Sequence, residues 1–418
     1  MYKNLIKNLS FLFIINLLVK TAWVLGIEVG VQNRLGTEQY GIYYTLVNLS
    51  MMFSFLPELG LSRYNAVNVA RHEKIMESEF FSLLQIKFLL SLVYLVFTFL
   101  IGNLLSYSTF QLYLLLLLAL CQVFGSFILL LRSNLSGMQL FKADGFFSVF
   151  DKFLALLACV LLLSGFSGLA FTAEIFVYVQ FFCLLGSLLL ISFVVIGKIP
   201  RTKLTFSWQY LRHLLVVSFP FTLLVSLEML QFRSGVVILE RTAGAMQSGL
   251  YANAFRLLEA FIMFASLLGV VLLPIFAKML DDKSQLSKMI RFSLGLILLP
   301  VLALVSTLLI FEKQVLLLLY KIYTIEMGSI YRLNVLTFLP FCIIYVTQPL
   351  LTVSLRLREL NLIWFLGLLL VVAGNGWTTT RFGALGTSAV YLISSTVIAL
   401  GQLWVVYHKN YLVSTNKE

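Results

Sequence analysis

Apolar residues in this chain fall in long, nearly unbroken runs, and short polar segments separate one run from the next. A helix on the surface of a soluble protein shows a narrower apolar stripe, with polar residues on its other face. A run of about 20 apolar residues matches the thickness of a bilayer core instead. Read this way, the pattern predicts twelve membrane-spanning helices, near 9–31, 40–61, 81–102, 110–131, 146–166, 170–197, 214–239, 248–273, 289–311, 333–355, 361–380 and 384–407. The run from Val315 to Tyr323 is too short to span. The first run is too long for a cleaved leader and lacks a small-residue cleavage site, so it reads as span one.

Composition agrees with that reading. Of the 418 residues, 60% are hydrophobic and only 11% charged, against about 25% charged in soluble domains. The excess apolar surface must face lipid, which excludes a water-soluble enzyme and a secreted disulfide scaffold. A net charge of +12 would by itself suggest a nucleic-acid partner. Its distribution argues otherwise. With the amino terminus in the cytoplasm, nineteen of the 30 basic residues fall in cytoplasmic segments, among them Lys198, Arg201, Lys203 and Arg212. That is the positive-inside pattern of a multi-pass membrane protein with both termini cytoplasmic. Cys121, Cys159, Cys183 and Cys342 sit inside apolar runs without ligand spacing, as packing residues do. His72, His213 and His408 lie in basic segments at helix ends. Neither set suggests a metal site, and no cofactor is expected.

The two halves of the chain resemble each other. Arg34-Leu35-Gly36-Thr37-Glu38-Gln39-Tyr40-Gly41-Ile42-Tyr43 joins spans one and two. Between spans seven and eight, Arg241 is followed by Gly244 and then by Gly249-Leu250-Tyr251. Tyr43 and Tyr251 are 208 residues apart. Six spans per half insert both halves in the same orientation, the parallel-repeat plan of many secondary transporters, with a substrate cavity between them. The expected organisation is an all-α membrane protein with two six-helix lobes, residues 1–200 and 214–418, joined by a basic cytoplasmic linker over 201–213.

Charges deep in a bilayer cost at least about 2.5–3.5 kcal/mol each, so they normally face a cavity or a partner. At 1.5 Å per residue, Lys20 in span one and Glu228 in span seven each lie about 16 Å below the outer end of their helix. The repeat makes them pseudo-symmetric candidates for an ion pair. Arg233 and Arg256, about 10 Å deep on consecutive antiparallel spans, are candidates to converge on one anion. Glu28 and Glu259 are their candidate resting partners, and Glu259 shares a helix face with Arg256. Lys87, Asp151 and Lys152 lie near cytoplasmic helix ends, where long side chains reach the interface. Glu58 is read as interfacial too. Asn375 brings a polar group to span eleven, for packing or for a cation. No loop is long enough to hold a soluble catalytic domain, and no enzymatic activity is expected.

Three stretches carry a family resemblance. They are Arg34–Tyr43 with Pro57-Glu58-Leu59-Gly60-Leu61-Ser62, then Gly249–Glu259 with Leu273-Pro274-Ile275-Phe276-Ala277, and Arg381–Ala389. Through them the chain resembles the polysaccharide transporter family of the multidrug/oligosaccharidyl-lipid/polysaccharide exporter superfamily, above all its O-antigen-type flippases. The resemblance implies a two-lobed, twelve-helix protein of the bacterial inner membrane. It would move undecaprenyl-pyrophosphate-linked oligosaccharide, an O-antigen or other surface polysaccharide unit of the kind found in lipopolysaccharide, from the cytoplasmic to the periplasmic leaflet. Basic cavity residues would meet the pyrophosphate. Arg256 matches the arginine of the family's span-eight motif, and Arg233 opens an Arg-x-Asp pattern of span seven. The third position of that pattern is Gly235 here. If an ion, H+ or Na+, drives transport, another group such as Glu228 must bind it. A polysaccharide polymerase and assembly proteins are further candidate partners. The alternatives are a drug/cation antiporter of the same superfamily, a membrane-embedded glycosyltransferase or polymerase, and a structural component of an envelope assembly complex.

Overall fold

The computed structural model describes residues 16, 18–71, 73–164, 170–197, 208–409 and 411. Most of the predicted basic linker, up to residue 207, lies outside the described residues, as do the ends of the chain. Among the described residues every regular element is helical. A π-helical stretch, Ala22–Glu28, runs into α1 (Val29–Leu35), and α2 (Thr37–Met52) follows across Gly36. Next come α3 (Leu61–Arg71), α4 (Glu73–Leu104), α5 (Thr109–Gly137), α6 (Phe141–Leu163) and α7 (Ala173–Ile196). The rest of the chain forms α8 (Trp208–Ala243), α9 (Ala245–Met279), α10 (Lys283–Ile310), α11 (Glu312–Tyr320), α12 (Ile325–Val353) and α13 (Leu357–His408).

Among the described residues, nine helices are long and apolar enough to cross a membrane. The 52-residue α13 is more than twice the length of one span and breaks at Gly383, with φ 53° and ψ −134°. It therefore supplies spans eleven and twelve. The helix that ends at Leu35 and the 16-residue α2 lie where spans one and two are predicted. The short run after Val315 forms only the nine-residue α11.

The largest departure from the hydropathy pattern is the end of span two. Span two is predicted to continue to residue 61, but helix α2 ends at Met52 and a turn occupies 53–60. Pro57 lacks a donor and disfavours helix at the residue before it. Leu59 and Gly60 then take left-handed φ values of 34° and 81°. The turn is stapled to its surroundings through Glu58. One carboxylate oxygen accepts the Ser62 backbone N–H at 3.1 Å, and the other meets Lys87 Nζ at 2.7 Å. Lys87 is fully buried. Its expected reach to the interface is thus corrected: the ammonium folds inward because a carboxylate waits there.

Two compact units emerge, one of residues 1–36 and 46–222, the other of residues 37–45 and 223–418. In the first, an apolar cluster of Val69, Phe80, Ile128, Leu131, Leu135, Phe147, Ile191 and Val195 packs five helices together. Asn65 donates to Ser133 and Asn134 at 2.7 and 3.0 Å, joining α3 to α5. In the second, α12 lies against α9, α10 and α13. Gln247 at the start of α9 bridges two neighbours there: its amide donates to Glu326 at 3.0 Å and its carbonyl accepts the Ala384 N–H at 2.8 Å. On the same side, Glu312 binds Arg332 at 3.0 Å and Tyr323 at 2.9 Å, and that carboxylate raises the Tyr323 phenol above its ordinary pKa.

Candidate functional site

Three helices of the second unit build the site: the start of α2, the middle of α8 and the first half of α9. The approach of α2 to α9 rests on two glycines. A Cβ on Gly41 would overlap the Ala245 carbonyl, and a Cβ on Gly249 would overlap the Thr37 carbonyl. Only residues without side chains allow backbones so close. Beside them, Thr45 Oγ1 and Ser248 Oγ lie 2.7 Å apart, and both hydroxyls reach the Gly41 carbonyl. The two glycines of the sequence repeat thus serve as the contact surface.

That approach delivers two tyrosines to Arg256. Tyr40 and Tyr44 lie one helical turn apart, with rings stacked at 6.2 Å. The Tyr40 hydroxyl accepts from both Nε, at 3.0 Å, and Nη2 of Arg256. The Tyr44 ring lies under the guanidinium, 4.8 Å from its carbon, a cation–π contact that suits the planar arginine group. Both tyrosines are buried.

The remaining edge of Arg256 faces Glu259, three residues on, with Nη1 2.8 Å from Oε2. The other carboxylate oxygen accepts from Arg233 Nη1, also at 2.8 Å. Arg233 comes from α8 and lies over the Phe232 ring at 4.9 Å. Two arginines of successive helices therefore converge on one carboxylate. The side chains of Arg233, Glu259 and Arg256 are 18%, 13% and 9% exposed, so the trio is sunk but not sealed. Formally, two guanidiniums and one carboxylate leave a net positive charge. Guanidinium edges arranged this way suit the oxygens of a phosphate or carboxylate.

The other sequence candidates lie elsewhere. Glu28 is buried in the first unit, where Oε1 accepts the Trp23 indole N–H at 3.1 Å. Lys20 is an exposed residue of that unit. Glu228 accepts from Gln348 Nε2 at 2.6 Å, and the Gln348 carbonyl takes the Trp364 indole at 3.2 Å. Asn375 is buried on α13 and donates to the Val371 carbonyl at 2.8 Å. Gly235 faces it, with its missing Cβ 3.4 Å from the Asn375 amide nitrogen. Sequence reasoning missed Tyr40 and Tyr44 as partners of Arg256. Their spacing of four, beside a glycine of the repeat, is the signal that was available.

The helices and this cationic cluster define the class: a multi-pass membrane protein with a basic site among its helices. The family described as "Polysaccharide biosynthesis protein" matches residues 5–280, and the chain belongs to that family. Its fold is similar to that of an inward-facing multidrug resistance MATE transporter of the MOP superfamily, at TM-score 0.69 and 15% identity, covering 94% of this chain and 96% of that one. It is also similar to the lipid II flippase MurJ in an inward closed conformation, at TM-score 0.73 and 14% identity, covering 96% and 88%. An outward-facing MATE transporter aligns at TM-score 0.61 and 17% identity, over 97% and 96%. No curated protein sequence matches the chain.

Proposed function

We propose that this protein is a flippase for undecaprenyl-pyrophosphate-linked oligosaccharide, the repeat unit of an O-antigen or another surface polysaccharide. It works in the bacterial inner membrane with both termini cytoplasmic. The observation that carries the proposal is the pair Arg233 and Arg256, brought from successive spans onto one carboxylate. Membership of a polysaccharide biosynthesis family supports a saccharide cargo. The likeness to a protein titled a lipid II flippase supports a lipid-linked one. The pyrophosphate binds the arginines. The sugars occupy a hydrated cavity and the polyprenyl tail stays in lipid. Alternating access carries the head group from the cytoplasmic to the periplasmic leaflet. A gradient of H+ or Na+ supplies the energy, with Glu228 and Asn375 as candidate coupling groups. A polysaccharide polymerase then consumes the product.

The test is reconstitution of the purified chain into liposomes with a fluorescent undecaprenyl-pyrophosphate oligosaccharide, read by quenching from outside. The proposal predicts protein-dependent movement of label between leaflets. Efflux of an organic cation without lipid movement would assign the antiporter function instead. New glycosidic bonds in the same vesicles would assign a transferase.

A further inference from the structure

We infer that Glu259 is a built-in competitor for the substrate anion, occupying both arginines at rest and yielding them when the head group enters. This inference rests on the reading of Arg233 and Arg256 as the pyrophosphate site and deepens it.

The geometry singles out this carboxylate. Each of its oxygens serves a different guanidinium at 2.8 Å, one on its own helix and one on α8. A pyrophosphate offers the same arrangement: oxygens on two centres, able to take one guanidinium each. A phosphate group on each side carries its own negative charge, so the ligand attracts the pair more strongly than one carboxylate does. Arg256 keeps its place throughout the exchange, because Tyr40 and Tyr44 hold the sides of the guanidinium that Glu259 does not touch. The exchange therefore needs only the Glu259 side chain to turn away, and its 13% exposure leaves it a path.

The device has a transport logic. Two bare arginines in a membrane would hold a pyrophosphate tightly and release it slowly. A site that must both load and unload has to bind well enough to capture and weakly enough to let go. Glu259 lowers the affinity from within and refills the site once the head group departs. It also spares the empty protein two uncompensated buried cations.

The experiment is binding of undecaprenyl pyrophosphate to the purified full chain in detergent, paired with the flipping assay. Glu259→Gln should bind about tenfold more tightly than the unaltered chain and flip more slowly, because release becomes limiting. Glu259→Asp keeps the charge but is too short to reach both guanidiniums, and should fall between the two. It covers the case in which Glu259→Gln does not fold. Binding in Glu259→Gln that is unchanged or weaker, while Arg233→Ala with Arg256→Ala abolishes it, overturns the inference and leaves the site standing. Binding that ignores the arginine pair overturns the site itself.

Discussion

Arg256 is held by three kinds of partner: a hydroxyl, an aromatic face and a carboxylate. Removing only the hydroxyl isolates one of them. Tyr40→Phe keeps the ring and loses the bond to a charged group, worth about 1.5–3 kcal/mol. We expect a lower thermal midpoint, because this bond is already made in the empty protein, together with pyrophosphate binding weakened by at least about tenfold in titrations on the purified protein. An unaltered affinity would show that Tyr40 does not position Arg256. Glu58 and Lys87 give a contrasting case in the first unit, a pair with a fully buried lysine that pins a turn. Breaking such a pair from one side costs about 3–5 kcal/mol, and Lys87→Met should approach the lower figure because Glu58 is 24% exposed. Restoring neutrality with Glu58→Gln in the same chain should recover part of the loss, measured as thermal midpoint. At this scale the sequence showed that Arg256 and Glu259 share a helix face and that Arg233 lies on the neighbouring span. It could not show Tyr40, 216 residues away, because nothing in a single chain reports which helices touch.

The elements were legible where length alone decided them and illegible where backbone geometry did. Runs of apolar residues give the long helices, which extend past the predicted spans by up to eight residues at one end, as at Ile325 and Glu73. The same runs conceal the end of helix α2 at Met52, because Phe53, Phe55 and Leu56 extend the apolar stretch without being helical. Pro57 and Gly60 were the signals present. The contact of α2 with α9 was half legible: the repeat marked Gly41 and Gly249 as corresponding positions, and only the structure shows that they are where the backbones meet. Gly249→Leu forces a side chain against the Thr37 carbonyl. Overpacking typically costs about 1–3 kcal/mol, and here it also displaces Tyr40 and Tyr44. We expect a lower thermal midpoint together with weakened pyrophosphate binding. A variant that loses stability and keeps full affinity would separate the glycine contact from the site.

For the whole molecule, the distribution of basic residues predicts which side is which, and this is testable without substrate. In a chain with its four cysteines replaced by alanine, Lys203→Cys should react with an impermeant thiol reagent only from the cytoplasmic side. Arg381→Cys should react only from outside. The reverse pattern would invert the topology and the direction of transport. The family is one of polysaccharide biosynthesis and the fold is similar to that of MATE transporters and a lipid II flippase, but function is decided by the site, since one fold hosts many functions. Here the site reads as cationic because two arginines outnumber the one carboxylate between them. The family resemblance marked the missing acid at Gly235 and the sequence offered Asn375 separately, whereas their proximity became visible only through packing. The most direct measurement is therefore flipping of undecaprenyl-pyrophosphate oligosaccharide in proteoliposomes by the chain carrying Arg233→Ala and Arg256→Ala together, beside the unaltered chain. The account predicts protein-dependent flipping by the unaltered chain and loss to the level of empty liposomes in the double variant. Flipping that persists in the folded double variant would contradict it.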